Sequence, residues 1–164
     1  MLLTARFPDP VLTTHCVPYD FSIPAVQQEF NLPEFLDAMA PHMKAEKGIG
    51  LAANQVGKNV RIFIMLDSKG SIVEFINPEI IDRDGMIALN EGCLSAPGAF
   101  VQLPRSQTVT VKALDRNGVE FTVVCQDLEA VCVQHEIDHL DGLFFIEKAP
   151  RQQRRHAMKV LGLK

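Results

Sequence analysis

No run in this 164-residue chain approaches the roughly eighteen consecutive apolar residues that a membrane-spanning helix needs, so no membrane partner is expected. Basic excess is also missing. The formal net charge is −4 and the pI about 5.7, which argues against a nucleic-acid-binding body and leaves DNA out of the expected partners. Cysteine is scarce: Cys16, Cys93, Cys125 and Cys132 stand at irregular spacing, do not resemble a disulfide framework, and fit a reducing cytoplasm better. The opening residues, Met1 to Pro8, lack the charged and long apolar regions of a secretion signal. Repeats, low-complexity tracts and linkers are absent as well. At 47% hydrophobic and 22% charged, residues 1–164 are expected to form a single domain with a real core, monomeric by default.

Asn31-Leu32-Pro33-Glu34 reads as a helix start, and Leu32, Phe35, Leu36, Met39 and Met43 then recur at helical spacing through about Lys47. Pro41 should kink or interrupt that run. From Val60 the pattern turns to short strands: Val60 to Leu66, Ile72 to Ile76, Thr108 to Leu114 and Val119 to Cys125. Asn117-Gly118 supplies a hairpin turn between the last two, and Asn77-Pro78 and Arg83-Asp84-Gly85 mark further turns. Helical character returns from Leu128 to Leu140, with Asp127 as its cap. Pro150 then opens a short C-terminal segment, residues 151–164, in which Arg151, Arg154, Arg155, Lys159 and Lys164 meet no acidic side chain. His15-Cys16 reads as a surface or edge pair, and Cys125 and Cys132 as core. The layout predicts an α+β fold: an N-terminal helix, short antiparallel strands around a central motif helix, and a brief C-terminal segment.

The motif in that helix is Gln134-His135-Glu136-Ile137-Asp138-His139, an H-E-x-x-H. Residues four apart share a helix face, so the imidazoles of His135 and His139 can close on one metal ion. Glu136 then lies beside the metal, where a carboxylate can take a proton from water. A catalytic site needs a third ligand and an open position. Downstream sources are poor. Phe145 stands where one peptidase group places a further His, and nothing acidic lies beyond Glu147. Upstream, Glu91-Gly92-Cys93-Leu94-Ser95 offers a thiolate, a strong ligand for zinc or ferrous iron. A third stretch, Gly48-Ile49-Gly50-Leu51-Ala52-Ala53-Asn54-Gln55, brings small residues and an amide that can donate to a developing oxyanion.

These three segments, in this order, closely resemble the three motifs of the peptide deformylases, and the resemblance runs from about Phe7 through Phe145. It implies one divalent metal per chain on Cys93, His135 and His139, ferrous iron favoured, with zinc, nickel or cobalt able to take its place. It implies Glu136 as general acid/base, with the Gln55 amide and the backbone N–H of Leu94 holding the oxyanion. The implied reaction removes the formyl group from N-formylmethionyl peptides and releases formate. Oxidation of the iron or of Cys93 would inactivate such an enzyme. By the same resemblance, the peptide lies extended along Gly48, Ile49 and Gly50, and its methionine enters a pocket lined by Ile49, Leu128, Val131, Cys132 and the His135 ring. Asp138 is expected to pair with Arg105.

Two departures stand out: Ala96 where a larger apolar residue is common, and Phe100 where some members carry an arginine. The C-terminal segment is shorter than in many bacterial members, where it can dock on the ribosome; its five basic residues keep such a contact open. Two other readings compete. One is a peptidase using the same metal centre on internal bonds, against which the missing downstream ligands argue. The other is a catalytically silent metal-binding or ribosome-associated module, which loss of Glu136 or Gln55 would signal; both are present.

Overall fold

Helix α1 (Leu32–Ala45) begins where the sequence signals it. The Asn31 side chain accepts the Glu34 N–H at 3.1 Å, proline occupies the first turn, and Leu32, Phe35, Leu36, Met39 and Met43 are buried. Pro41, where a break is expected, stays inside the helix. Met39 and Met43 are fully buried on either side of it, and their packing outweighs the lost hydrogen bond. A computed structural model describes residues 2–24 and 29–163, so Lys164 of the basic tail lies outside the described residues.

Two antiparallel sheets follow. The larger runs in the order β1 (Gly50–Ala52), β2 (Ile62–Leu66), β3 (Ile72–Asp84), β6 (Thr108–Leu114) and β7 (Glu120–Gln126). The smaller is a hairpin of β4 (Ile87–Cys93) and β5 (Ala96–Arg105). The turn between β6 and β7 forms as the Asn-Gly signal predicts: the Asp115 carboxylate accepts the N–H groups of Asn117 and Val119, and Gly118 takes a positive φ of 77°.

Three expectations are corrected. Asn77-Pro78 is not a turn between strands: β3 continues through it, with a register shift between Ile76 and Glu79 that absorbs the missing Pro78 N–H. The Asn77 side chain holds the bulge by accepting from the Tyr19 N–H and donating to its carbonyl, each at 2.8 Å. Asp127 is not the cap of α2 (Asp127–Leu140); it is the first helical residue, and its carboxylate accepts from the Gln107 amide at 2.9 Å. Cys16 is not at the surface: it is fully buried, and its N–H donates to the Leu140 carbonyl.

The β4–β5 hairpin has no counterpart among the strands expected from the sequence. Its alternation is nonetheless written there, with Ala99, Val101, Leu103 and Arg105 buried between exposed Phe100, Gln102 and Pro104. Pro97, Gly98 and Pro104 disguise it as loop. Two short helices, α3 (Phe145–Lys148) and α4 (Arg151–Val160), close the chain against β5. The fold is α+β, with antiparallel sheets and four α-helices among the described residues. None of these helices is long and apolar enough to cross a membrane.

Helix α2 packs against strands of both sheets and is buried on nearly every side, including Ala130 through Ile137. Apolar clusters flank it. Phe63, Phe75, Val109 and Val111 lie toward the larger sheet, and Ala99, Val101, Phe144 and Phe145 toward β5. A helix buried all round belongs to a core. Its polar residues therefore need partners or a ligand, and that requirement defines the site.

Candidate metal centre and active site

Four polar residues in the middle of α2 are buried: Gln134, whose amide is held by Ser106 and Ala130, and His135, Glu136 and His139. The end of β4 brings Cys93 to the two histidines. Ligand atoms of Cys93, His135 and His139 lie within 4.8 Å of one another, with the Cys93 Sγ 3.2 Å from His139 Nε2. One thiol and two imidazoles, with no carboxylate among them, suit a borderline-soft divalent metal and, as three ligands, would leave it room for a water or substrate. The donor set fits the ion that the sequence implies.

His135 Nδ1 sits 3.0 Å from Glu91 Oε2, which leaves the other ring nitrogen for the metal. Arg105 grips Glu91 with Nε at 2.7 Å and Nη2 at 2.8 Å, and gives Nη1 to Asp138 at 2.5 Å. Lys148 closes the series on Asp138 at 2.6 Å. The Arg105–Asp138 pair is present, but the two-point contact of Arg105 is with Glu91.

Burial acts to lower the His135 pKa, but hydrogen bonds to Cys93 and Glu91 and the charges of Cys93 and Glu136 overcome it and push it up to about 10. His139 goes the opposite way. Burial, with the positive charges of His135 and Arg105, holds it well below the usual imidazole range. A divalent cation held by these groups would take the place of the His135 proton.

Burial, aided by the negative charge of Glu91 and opposed by His135, raises Glu136 to about 7. Its Oε2 is buried without a hydrogen-bond partner. Gly50 lies against it: a Cβ at that position would come 2.4 Å from Glu136 Oε1 and 2.7 Å from Cys132 Sγ. Only a glycine lets β1 pass this close.

Gln55 sits in a short 3-10 turn (Ala53–Val56) that follows β1. Its Oε1 accepts the Ala52 N–H at 2.9 Å, so its Nε2 points inward to Ser95 Oγ at 3.1 Å and Cys93 Sγ at 3.4 Å. The backbone therefore fixes which end of the amide faces the site. Leu94 begins the turn that joins β4 to β5, and its side chain rests on Gly48, where a Cβ would meet Leu94 Cδ1 at 2.7 Å.

A cleft of about 440 Å³ opens onto these groups. Gly48, Ile49, Gly50, Leu128, Val131 and Cys132 all line it, as do Cys93, His135, Glu136 and Gln55. Leu94 lines it too; His139 does not, and joins the group through its 3.2 Å contact with Cys93 Sγ. Sequence reasoning missed Arg6 and Glu46 at the cleft's edge and gave Glu91 no role. Glu91 was signalled by its place two residues before the cysteine; nothing in the sequence marks Arg6.

A family model described as polypeptide deformylase matches residues 1–155. Peptide deformylase 1 of Shewanella oneidensis is 43% identical over 166 residues, covering 98% of this chain and 94% of its own. The peptide deformylase of Chromobacterium violaceum is 38% identical, covering 94% and 90%. Among solved structures, a peptide deformylase from Legionella pneumophila superposes with a TM-score of 0.89 at 33% identity, covering 99% of this chain and 94% of that one. The chain belongs to the peptide deformylase family, metal-dependent hydrolases that remove the formyl group from the N-terminus of newly made peptides.

Proposed function

We propose that residues 1–164 form one catalytic domain that hydrolyses N-formylmethionyl peptides, with Cys93, His135 and His139 holding a single divalent ion and Glu136 moving the proton. The observation that carries this reading is the Glu136 carboxylate, buried at the floor of the cleft without a protein partner for Oε2. A bound ion supplies Lewis acidity, lowering the pKa of water and polarising the formyl carbonyl. Glu136 accepts the proton as water oxygen adds to the formyl carbon. The Gln55 Nε2 and the Leu94 N–H donate to the oxygen on which charge develops. The C–N bond then breaks, Glu136 returns its proton to the departing amine, and formate leaves.

The substrate peptide lies along Gly48, Ile49 and Gly50 at the edge formed by β1, and its methionine side chain enters the apolar side of the cleft beside Leu128, Val131 and Cys132. Iron(II) is the favoured ion, with zinc, nickel and cobalt able to substitute, since imidazole and thiolate suit all of them. Four free cysteines support a reducing, cytoplasmic setting. A monomer is the default oligomeric state. Helix α4 exposes Arg151, Arg154, Arg155 and Lys159, a basic face suited to ribosomal RNA.

The test is formate release from formyl-Met-Ala-Ser by anaerobically purified, Fe(II)-loaded protein, beside Glu136→Ala. Release by the parent and loss of at least about a hundredfold in the variant support these roles for the ion and for Glu136. No release despite one bound metal per chain would overturn them.

A further inference from the structure

The N-terminal segment crosses the site in a way that neither the ligand cluster nor the cleft explains. Three consecutive residues each bind the backbone of a motif residue. The Ala5 N–H donates to the Gln55 carbonyl at 2.7 Å, the Arg6 guanidinium donates through Nη1 to the Leu94 carbonyl, and the Phe7 N–H donates to the Ser95 carbonyl at 2.9 Å. Arg6 is itself aimed by Glu46, whose Oε2 accepts from Nη2 at 3.0 Å.

The carbonyl that Arg6 holds belongs to the Leu94–Ser95 peptide unit. The N–H at the other end of that unit donates to Cys93 Sγ at 3.4 Å. A cation on the carbonyl polarises the unit and makes its N–H a stronger donor. Leu94 is thereby fixed from two sides, by Gly48 against its side chain and by Arg6 on its carbonyl.

We propose that Arg6 is a positioning residue of the active site: it locks the Leu94–Ser95 peptide unit, and so sets both the aim of the Leu94 N–H and the hydrogen bond given to the Cys93 sulfur. This rests on the deformylase reading above for the role of the Leu94 N–H. Arginine suits the task because its planar fork spans a carbonyl and a carboxylate at once; a lysine offers one point charge. The bland alternative is an exposed Arg6–Glu46 ion pair, which would contribute little.

The test uses the full chain loaded with Co(II), comparing the parent with Arg6→Ala, Arg6→Lys and Glu46→Gln. Arg6→Ala is expected to lower kcat about tenfold while KM stays within about twofold, since a donor aimed at the transition state is lost rather than peptide binding. The sulfur-to-cobalt absorption band is expected to shift in Arg6→Ala. Arg6→Lys falls between parent and Arg6→Ala in both readouts, and Glu46→Gln moves them less. A band and a kcat unchanged in Arg6→Ala overturn the proposal, whatever happens to thermal stability. Should Arg6→Ala fail to fold, Arg6→Lys decides by the same two readouts. If the cobalt-loaded parent releases no formate, the deformylase reading fails, while the band still decides whether Arg6 acts on the Cys93 sulfur.

Discussion

His135 Nδ1 and Glu91 Oε2 lie 3.0 Å apart, and that contact is the inner end of a series that passes through buried Arg105 to half-buried Asp138 and exposed Lys148. Burial acts to raise the Glu91 pKa, yet hydrogen bonds from Arg105 and His135 hold it below the usual carboxylate range. An ionised Glu91 fixes which imidazole nitrogen faces Cys93. The proposed metal ligand His135 is therefore oriented by a carboxylate, and the carboxylate by a guanidinium.

Removing Glu91 should damage stability and metal binding together. Glu91→Ala strips the two-point partner from a guanidinium that is almost fully buried, a loss on the order of 3 kcal/mol. It also releases the His135 ring, and metal affinity is expected to fall about 10- to 100-fold. Urea denaturation and a competition titration with a chelating dye measure the two losses separately. Metal affinity equal to the parent's would show that Glu91 serves the core alone.

Gly50→Ala should separate activity from metal binding. The added methyl meets Glu136 Oε1 at 2.4 Å and Cys132 Sγ at 2.7 Å, so the carboxylate has to move. A displacement of about 1 Å in a proton-transfer group typically costs on the order of a hundredfold in rate. Metal content is expected to persist, because no ligand atom is among the groups met. Steady-state rates beside metal analysis decide; a variant with full kcat would mean that Glu136 tolerates the shift.

The sequence showed the site better than it showed the scaffold. His135, Glu136, His139, Cys93 and Gln55 stand in contiguous motifs, and a motif that short is read whatever the tertiary fold does with it. Helix α1 and the β6–β7 hairpin were legible for the same reason, since a cap and an Asn-Gly turn are local. The β4–β5 hairpin was hidden because Pro97, Gly98 and Pro104 lie on a strand whose partner and helix cover supply the stability. Arg6 was out of reach altogether: its partners are 40 and 88 residues away, and an arginine carries no signal of what it will bind.

Thiol labelling should single out Cys93. Cys16, Cys125 and Cys132 are fully or almost fully buried, and only Cys93 is partly exposed, at the cleft. Chelator-treated native protein is expected to react rapidly at one thiol per chain, and zinc-loaded protein at none, because a coordinated thiolate is shielded. Mass mapping of the labelled peptide identifies the site. Rapid labelling of two or more thiols in native protein would contradict the burial of the other three.

Stability should decline above pH 9 through the buried thiols, Cys132 among them, whose burial holds it well above the ordinary thiol range. Burial pushes Cys16 up to about 11, with Arg61 pulling weakly the other way, and burial likewise pushes Cys125 up to about 11, each from an ordinary value near 9. The folded state holds these protons more tightly than the unfolded state does. Between about pH 9 and 11 the unfolded chain therefore binds fewer protons, and the stability present below pH 9 is lost as pH rises through that window. At pH 10 the loss is on the order of 1 kcal/mol per thiol. Urea midpoints at pH 7.5 and pH 10 measure it, with the Cys16→Ala/Cys125→Ala double variant as the control. That variant starts less stable because it leaves cavities, but it should lose less between the two pH values. An equal decline in both proteins would place the alkaline sensitivity elsewhere, with Cys132, which the double variant keeps, the next group to replace.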